Sequence, residues 1–135
     1  MKKAFLVLVV LITFVSCDAT SEDNGTQYFI APVENATMPS TFKVDSTSQI
    51  MIAYKRPSQC HIFNGLYYDV DQTTRTVAVQ FAKLQQSECM EDETVYNIPL
   101  LFKPTSPGTY LFRFWNGTNA EGQDTYIEAE ALVGQ

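Results

Sequence analysis

The chain has 135 residues, 45% of them hydrophobic, with 9 basic residues against 15 acidic ones for a formal net charge of −6. That length suits one compact domain rather than several. The charge repels nucleic acid and anionic lipid headgroups, which excludes both as electrostatic partners, and no motif for a cofactor stands anywhere in the chain.

The first element runs Met1, Lys2, Lys3, then an apolar stretch over residues 4–15 broken only by Thr13, then Ser16 and Cys17. A basic start, a short apolar run and a small residue before the cut describe a secretory signal peptide over residues 1–16. Twelve helical residues would cover about 18 Å of a hydrocarbon core roughly 30 Å thick, too little to span it. The residues Phe14, Val15, Ser16 and Cys17 resemble the lipobox of bacterial lipoproteins, with Phe14 where that family favours leucine. The resemblance implies acylation of the Cys17 thiol with a diacylglycerol, cleavage just before it, and anchoring at a membrane through two or more acyl chains. The rival reading is an ordinary signal peptide cut near Ala19.

Cleavage before Cys17 leaves 119 residues with 7 basic against 15 acidic side chains, a net charge of −8. Residues 17–26 form a lipidated tether: the stretch DATSEDNGT has no large aliphatic side chain and buries nothing. Acid-rich stretches after the lipidated cysteine resemble surface-export signals of some Gram-negative lineages, whereas Asp at the place of Asp18 resembles an inner-membrane retention signal of enterobacteria. The expected address is the cell envelope, at the outer membrane, on its periplasmic face or on the cell surface.

From residue 27 to 135 the pattern alternates with period two, broken by Pro, Gly, Asn and Asp. Tyr28 with Ile30, and Phe42 with Val44, suggest short strands, and residues 49–54 place Ile50, Ile52 and Tyr54 on one face. Residues 61–68 are another candidate, followed by a polar hairpin connection DVDQTT and then residues 75–82 with Val77, Val79 and Phe81 aligned. Residues 96–102 align Tyr96, Ile98, Leu100 and Phe102, with Pro99 on the other face, which argues for an edge strand or a bulge. Residues 109–115 align Tyr110, Phe112 and Phe114 opposite Arg113, and residues 126–133 turn Ile127, Ala129, Ala131 and Val133 inward and Glu128 and Glu130 outward. No helix is expected. Six to eight short strands at this spacing predict an all-β, antiparallel β-sandwich, with a barrel as the alternative.

Cys60 and Cys89 are the two cysteines left once Cys17 is acylated, and an even pair in an exported domain predicts a disulfide. A metal site is the rival, but only His61 adjoins them and no second histidine exists to complete one.

The segment Pro104 to Tyr110, followed by alternating aromatics, resembles the penultimate strand of immunoglobulin-like domains, in which a tyrosine after such a turn hydrogen-bonds to backbone. Trp115 and the two cysteines stand elsewhere than in that family, so the likeness covers about the last 30 residues. As a whole the chain resembles small Gram-negative lipoproteins with an immunoglobulin-like sandwich. That resemblance implies a layout and brings no catalytic residues.

Several side chains are candidates for chemistry. His61 with Ser58 or Ser87 would be base and nucleophile of a hydrolytic triad, but no Gly-x-Ser-x-Gly elbow frames either serine. Glu88, Glu91, Asp92 and Glu93, and separately Asp69 with Asp71, are acids of the type that bind calcium, without the glycine-containing loop of a known site. Trp115, Tyr67 and Tyr68, with Tyr126, are candidate ligand contacts: aromatics off the core face suit a glycan or a protein, against the plain reading that they cover the ends of the core. Asn24, Asn35 and Asn116 each begin an Asn-x-Thr pattern. Asp45, Ser46 and Thr47 resemble the O-glycosylation acceptor of certain Gram-negative bacteria, with Ser46 as the modified residue. The reading is a non-enzymatic interaction module at the envelope, with a carbohydrate- or small-ligand-binding accessory subunit of an uptake system as the alternative.

Overall fold

The structure, a computed structural model, describes residues 26–86 and 88–135; Cys17, Asn24, most of the tether and Ser87 lie outside the described residues. Nine strands follow in order: β1 (Gln27–Ala31), β2 (Val33–Thr37), β3 (Phe42–Lys43), β4 (Ser48–Lys55), β5 (His61–Asp71), β6 (Thr74–Lys83), β7 (Val95–Phe102), β8 (Gly108–Thr118) and β9 (Asp124–Gly134), with no helix among the described residues. They form a sandwich of two sheets. The smaller is ordered β2-β4-β7 and the larger has six strands.

In the larger sheet β5 pairs along the whole of one edge of β6, from His61↔Lys83 to Asp71↔Thr74. The other edge of β6 is shared. Thr74 to Val77 pair with β8, and Val79 to Lys83 pair with β1. Beyond β8 lie β9 and then β3.

The core follows the alternation expected from sequence. Ile50, Ile52, Val77, Val79, Phe81, Phe112 and Phe114 are fully buried between the sheets. Phe112 meets Phe102 edge-on at 5.0 Å between ring centroids and stacks on Phe114 at 5.9 Å. Pro99 stands on β7, which pairs only with β4, so its missing N–H falls on a strand with a free edge. The Tyr110 hydroxyl donates to the Ser106 carbonyl at 3.0 Å with the ring 2% exposed, the corner expected of a tyrosine at this place.

Three details differ from the sequence reading. The strand beyond the expected eight is β2, hidden because a bulge between Val33 and Asn35 brings Val33 and Ala36 to the core side at a spacing of three. Two pairings, β6 with β8 and β3 with β9, are parallel rather than antiparallel. Between β6 and β8 the chain crosses to the small sheet as β7 and returns, so β8 re-joins the large sheet in the direction of β6. In immunoglobulin domains the first strand of the middle hairpin lies beside the penultimate strand; here the hairpin is turned over, and its second strand, β6, does so. The polar connection expected over residues 69–74 shrinks to Gln72 and Thr73, with Gln72 in the left-handed region at φ 51°.

Candidate functional site

The shared edge of β6 creates the site. Where β8 leaves β6 after Val77 and β1 replaces it from Val79, the β8–β9 hairpin and β1 part company. On the outer face of the sheet this parting opens a groove of about 270 Å³, floored by Thr76 and Ala78 of β6. Its walls come from four other strands: Ile30 of β1, Tyr67 of β5, Trp115 of β8, and Asp124 and Tyr126 of β9. Ala78 points away from the core and is nevertheless only 3% exposed. Its neighbours stand over it.

Register explains why these side chains meet. Tyr67 lies opposite Ala78, and Trp115 lies directly opposite Tyr126, so all four project from the same side of the pleat. The Trp115 indole Nε1–H donates to Asp124 Oδ1 at 2.9 Å, which fixes the ring. Arg113, one pleat earlier on β8, ion-pairs with Glu128 at 3.1 Å and lays its guanidinium over the Tyr126 ring at 4.0 Å. The hairpin tip is tied by Asn119, whose side-chain oxygen accepts from the Glu121 and Gln123 backbone N–H groups at 3.1 and 2.9 Å.

Of the sequence candidates, Tyr67 and Trp115 are therefore brought together, with Tyr126. Tyr68 is not. It lies opposite the buried Val77, on the other side of β5, where burial pushes its hydroxyl pKa up and Arg75 opposes the shift. The polar stretch that follows Trp115 is mostly strand, because β8 continues to Thr118 past a bulge at Asn116 and β9 begins at Asp124. Asp124 was legible only as a loop residue. Its place two residues before Tyr126 on the same strand is the signal that puts it beside the aromatics.

The Ser58 and His61 side chains do meet, with Ser58 Oγ 2.8 Å from His61 Nδ1, but both residues are 8% exposed. The imidazole packs edge-on against Phe29 and Phe81. Ser58 Oγ also accepts the Cys60 backbone N–H at 3.3 Å, so the pair serves the turn leading into β5. Burial lowers the His61 pKa, Lys83 adds to this, and a backbone hydrogen bond with Ser58 opposes it.

Cys60 and Cys89 are bonded, with their Cα atoms 5.5 Å apart. The bridge ties the β4–β5 crossover to the β6–β7 crossover, and is reinforced by Gln59 N–H donating to the Met90 carbonyl at 2.9 Å. The acids that follow are occupied in part. Asp92 accepts from the Thr94 N–H at 3.0 Å, the Tyr96 hydroxyl at 2.9 Å and Arg56 Nε at 2.6 Å, and Glu93 pairs with Lys55 at 3.3 Å. Glu88, Glu91, Asp69 and Asp71 are exposed, and among the described residues no three Asp, Glu, His or Cys side chains converge on a point. Ser46 stands in an exposed turn after β3, beside Asp45 at φ 58°. Asn35 and Asn116 are exposed on β2 and at the β8 bulge.

These two perturbed groups set the pH dependence of stability. His61 has a folded pKa below its ordinary value of 6.5, so the unfolded chain takes up its proton first and stability falls as pH drops below about 6.5. The carboxyl of Asp92 is held far below the carboxylate range, mainly by the Thr94 backbone N–H and hydroxyl and then by Tyr96 and Arg56. Its contribution is complete above about pH 4 and is lost as pH falls further. Thermal melts followed by circular dichroism should therefore show Asp92→Asn with a lower Tm at pH 7, the gap to the native chain closing below about pH 4. His61→Gln should flatten the slope between about pH 6.5 and 5 and leave the acid limb intact.

Comparison with protein-family models, with curated proteins and with solved structures finds no match to this chain.

Proposed function

We propose that the chain is an exported lipoprotein, cut before Cys17 and acylated on it, that holds a non-enzymatic β-sandwich at the cell envelope as an interaction module. The observation that carries the binding part is the groove: three aromatic rings from β5, β8 and β9 stand around a floor of Thr76 and Ala78 on the solvent side of a sheet. Aromatic side chains with an apolar face and a polar edge suit an interaction surface. The absence of catalysis rests on how Ser58 and His61 are used, buried against aromatic rings in a turn. The anchor rests on the run Phe14 to Cys17 behind a basic, apolar leader.

Nine residues lie between Cys17 and the start of β1 at Gln27, a reach of about 35 Å when fully extended. Ile30 is three residues further on and walls the groove, so the site works close to the membrane that holds the lipid. The outer membrane is the proposed address, and labelling of whole cells with an impermeant reagent separates surface display from the periplasmic face. A small ligand delivered to an uptake system is the second reading, favoured by the size of the groove, which is at the small end of binding pockets.

The test is tandem mass spectrometry of the N-terminal peptide, on protein extracted from membranes without reductant. The expected peptide begins at an acylated Cys17, and Cys17→Ser is expected to move the protein from the membrane fraction to the soluble one. An unmodified terminus beyond Cys17 would overturn the anchor and make this a freely secreted domain.

A further inference from the structure

We propose that the groove takes one neutral sugar ring, stacked on Trp115 and Tyr67; this deepens the reading above and rests on the groove being the interaction site. The groove is lined by one carboxylate, Asp124, and by no basic residue, which disfavours an anionic ligand such as a phosphate or a uronic acid. For a cation, one of the three rings is already taken: the Arg113 guanidinium lies 4.0 Å from the centre of the Tyr126 ring. Arg113 in turn is neutralised by Glu128 rather than offered to a ligand. The one carboxylate left at the site, Asp124, keeps an oxygen free to accept a hydrogen bond from a ligand hydroxyl.

The remaining surface has two characters. The faces of Trp115 and Tyr67 and the methyl of Ala78 are apolar, while the hydroxyls of Thr76, Tyr67 and Tyr126 and the second oxygen of Asp124 offer donors and acceptors around them. A pyranose has the complementary pair of features: a flat C–H face that packs on an aromatic ring, and equatorial hydroxyls that meet polar groups at its edge. A purely apolar ligand would leave those polar groups without partners, at a cost of about 1–3 kcal/mol for each one buried. The indole is held in place before any ligand arrives, because Nε1–H is already bonded to Asp124 at 2.9 Å, so stacking costs little additional ordering. The volume of about 270 Å³ limits the site to a single ring and leaves its ends open to the rest of a chain.

Trp115 is the only tryptophan, so its fluorescence reports the groove directly. The experiment titrates the full acylated chain in detergent with methyl glucoside, methyl mannoside, methyl galactoside and N-acetylglucosamine, alongside glucuronate and choline. At least one neutral sugar is expected to give a saturable shift of Trp115 emission, with glucuronate and choline inactive. Tyr67→Ala and Tyr126→Ala, which keep the reporter, should each weaken that binding about tenfold. Tyr68→Ala should leave it unchanged, because Tyr68 projects from the other side of the same strand. Thermal melts confirm that each variant is folded. A shift with choline or glucuronate and none with the neutral sugars would overturn the sugar assignment and leave the groove as a binding site. Equal weakening by Tyr68→Ala would also overturn it, since the effect would not come from the groove. Silence of Trp115 towards every probe would overturn both the sugar and the groove, leaving the anchor at Cys17 to be judged on its own peptide.

Discussion

Breaking the Cys60–Cys89 bridge is expected to lower folding stability by about 3–4 kcal/mol and the melting temperature by on the order of 15 °C. The bridge closes a loop across a sequence separation of 29, which sets the size of the effect in the chain-entropy treatment. Its position makes the loss hard to absorb. Cys60 is 1% exposed and stands at the foot of β5, and Cys89 lies on the connection that leads from β6 in the large sheet to β7 in the small one. Once the covalent tie is cut, the β6–β7 connection is held to the domain by the Gln59–Met90 backbone bond, the Arg56–Asp92 pair and the Lys55–Glu93 pair. Lys55 and Glu93 are exposed, and a pair of that kind contributes no more than about 1 kcal/mol. The measurement is a pair of thermal melts with and without a thiol reductant, repeated on a Cys60→Ala, Cys89→Ala double variant. The two should agree. A midpoint that moves by less than about 5 °C in both would mean that the Arg56, Asp92 and Tyr96 network already holds the connection in place.

The parts of the fold that the sequence foretells are those in which one physical rule acts without interruption. β7, β8 and β9 each bury every second residue, so Leu100 with Phe102, Tyr110 with Phe112 and Phe114, and Ala131 with Val133 could be placed on the core from period alone. Where a bulge intervenes the rule breaks. In β2 the extra residue destroys the alternation and hides the strand, and in β5 the shift between Phe63 and Gly65 brings Phe63 and Leu66 to the core side at a spacing of three. Topology was out of reach for a different reason. Period two fixes which residues face inward but not which strand lies beside which, and the turned-over β5–β6 hairpin has the same period either way up.

The site was half legible for the same reason. Exposed aromatics are visible in the sequence as aromatics off the core face, and this selects Tyr67, Trp115 and Tyr126. It does not reject Tyr68 until the register of β5 against β6 is known, because the bulge in β5 upsets counting by twos from the start of the strand. Nor does it show that Ile30, from a strand far away in sequence, completes the wall. That contact exists only because β1 and β8 share one edge of β6. Asp92 is a similar case. A run of acids reads as a solvated loop or an ion site, and only the fold brings Arg56 and Tyr96 to it.

Phe114→Ala is expected to cost about 3–5 kcal/mol, the second large effect, and to abolish ligand binding with it. Phe114 is fully buried, stacks on Phe112, and precedes Trp115 on the same strand. It is also the last residue of β8 that pairs with β6, opposite Val77. Removing its ring empties the core at the point where β8 leaves β6, and the groove depends on the angle at which that departure happens. Trp115→Ala removes the neighbouring ring from the solvent side of the same strand, giving up one hydrogen bond to Asp124 and the cover over Ala78 but no packing between the sheets, so its cost should be smaller than that of Phe114→Ala. Urea unfolding followed by circular dichroism gives both stabilities on one scale, and calorimetric titration reads binding, because Trp115→Ala removes the only tryptophan. If the groove is a site presented by the fold, the two variants separate: Phe114→Ala loses stability and binding together, while Trp115→Ala loses binding with much the smaller fall in its unfolding midpoint. If instead the aromatics over Ala78 serve only to cover the sheet, Trp115→Ala will lose stability on the scale of Phe114→Ala, because its ring will then have been part of the structure rather than part of the site.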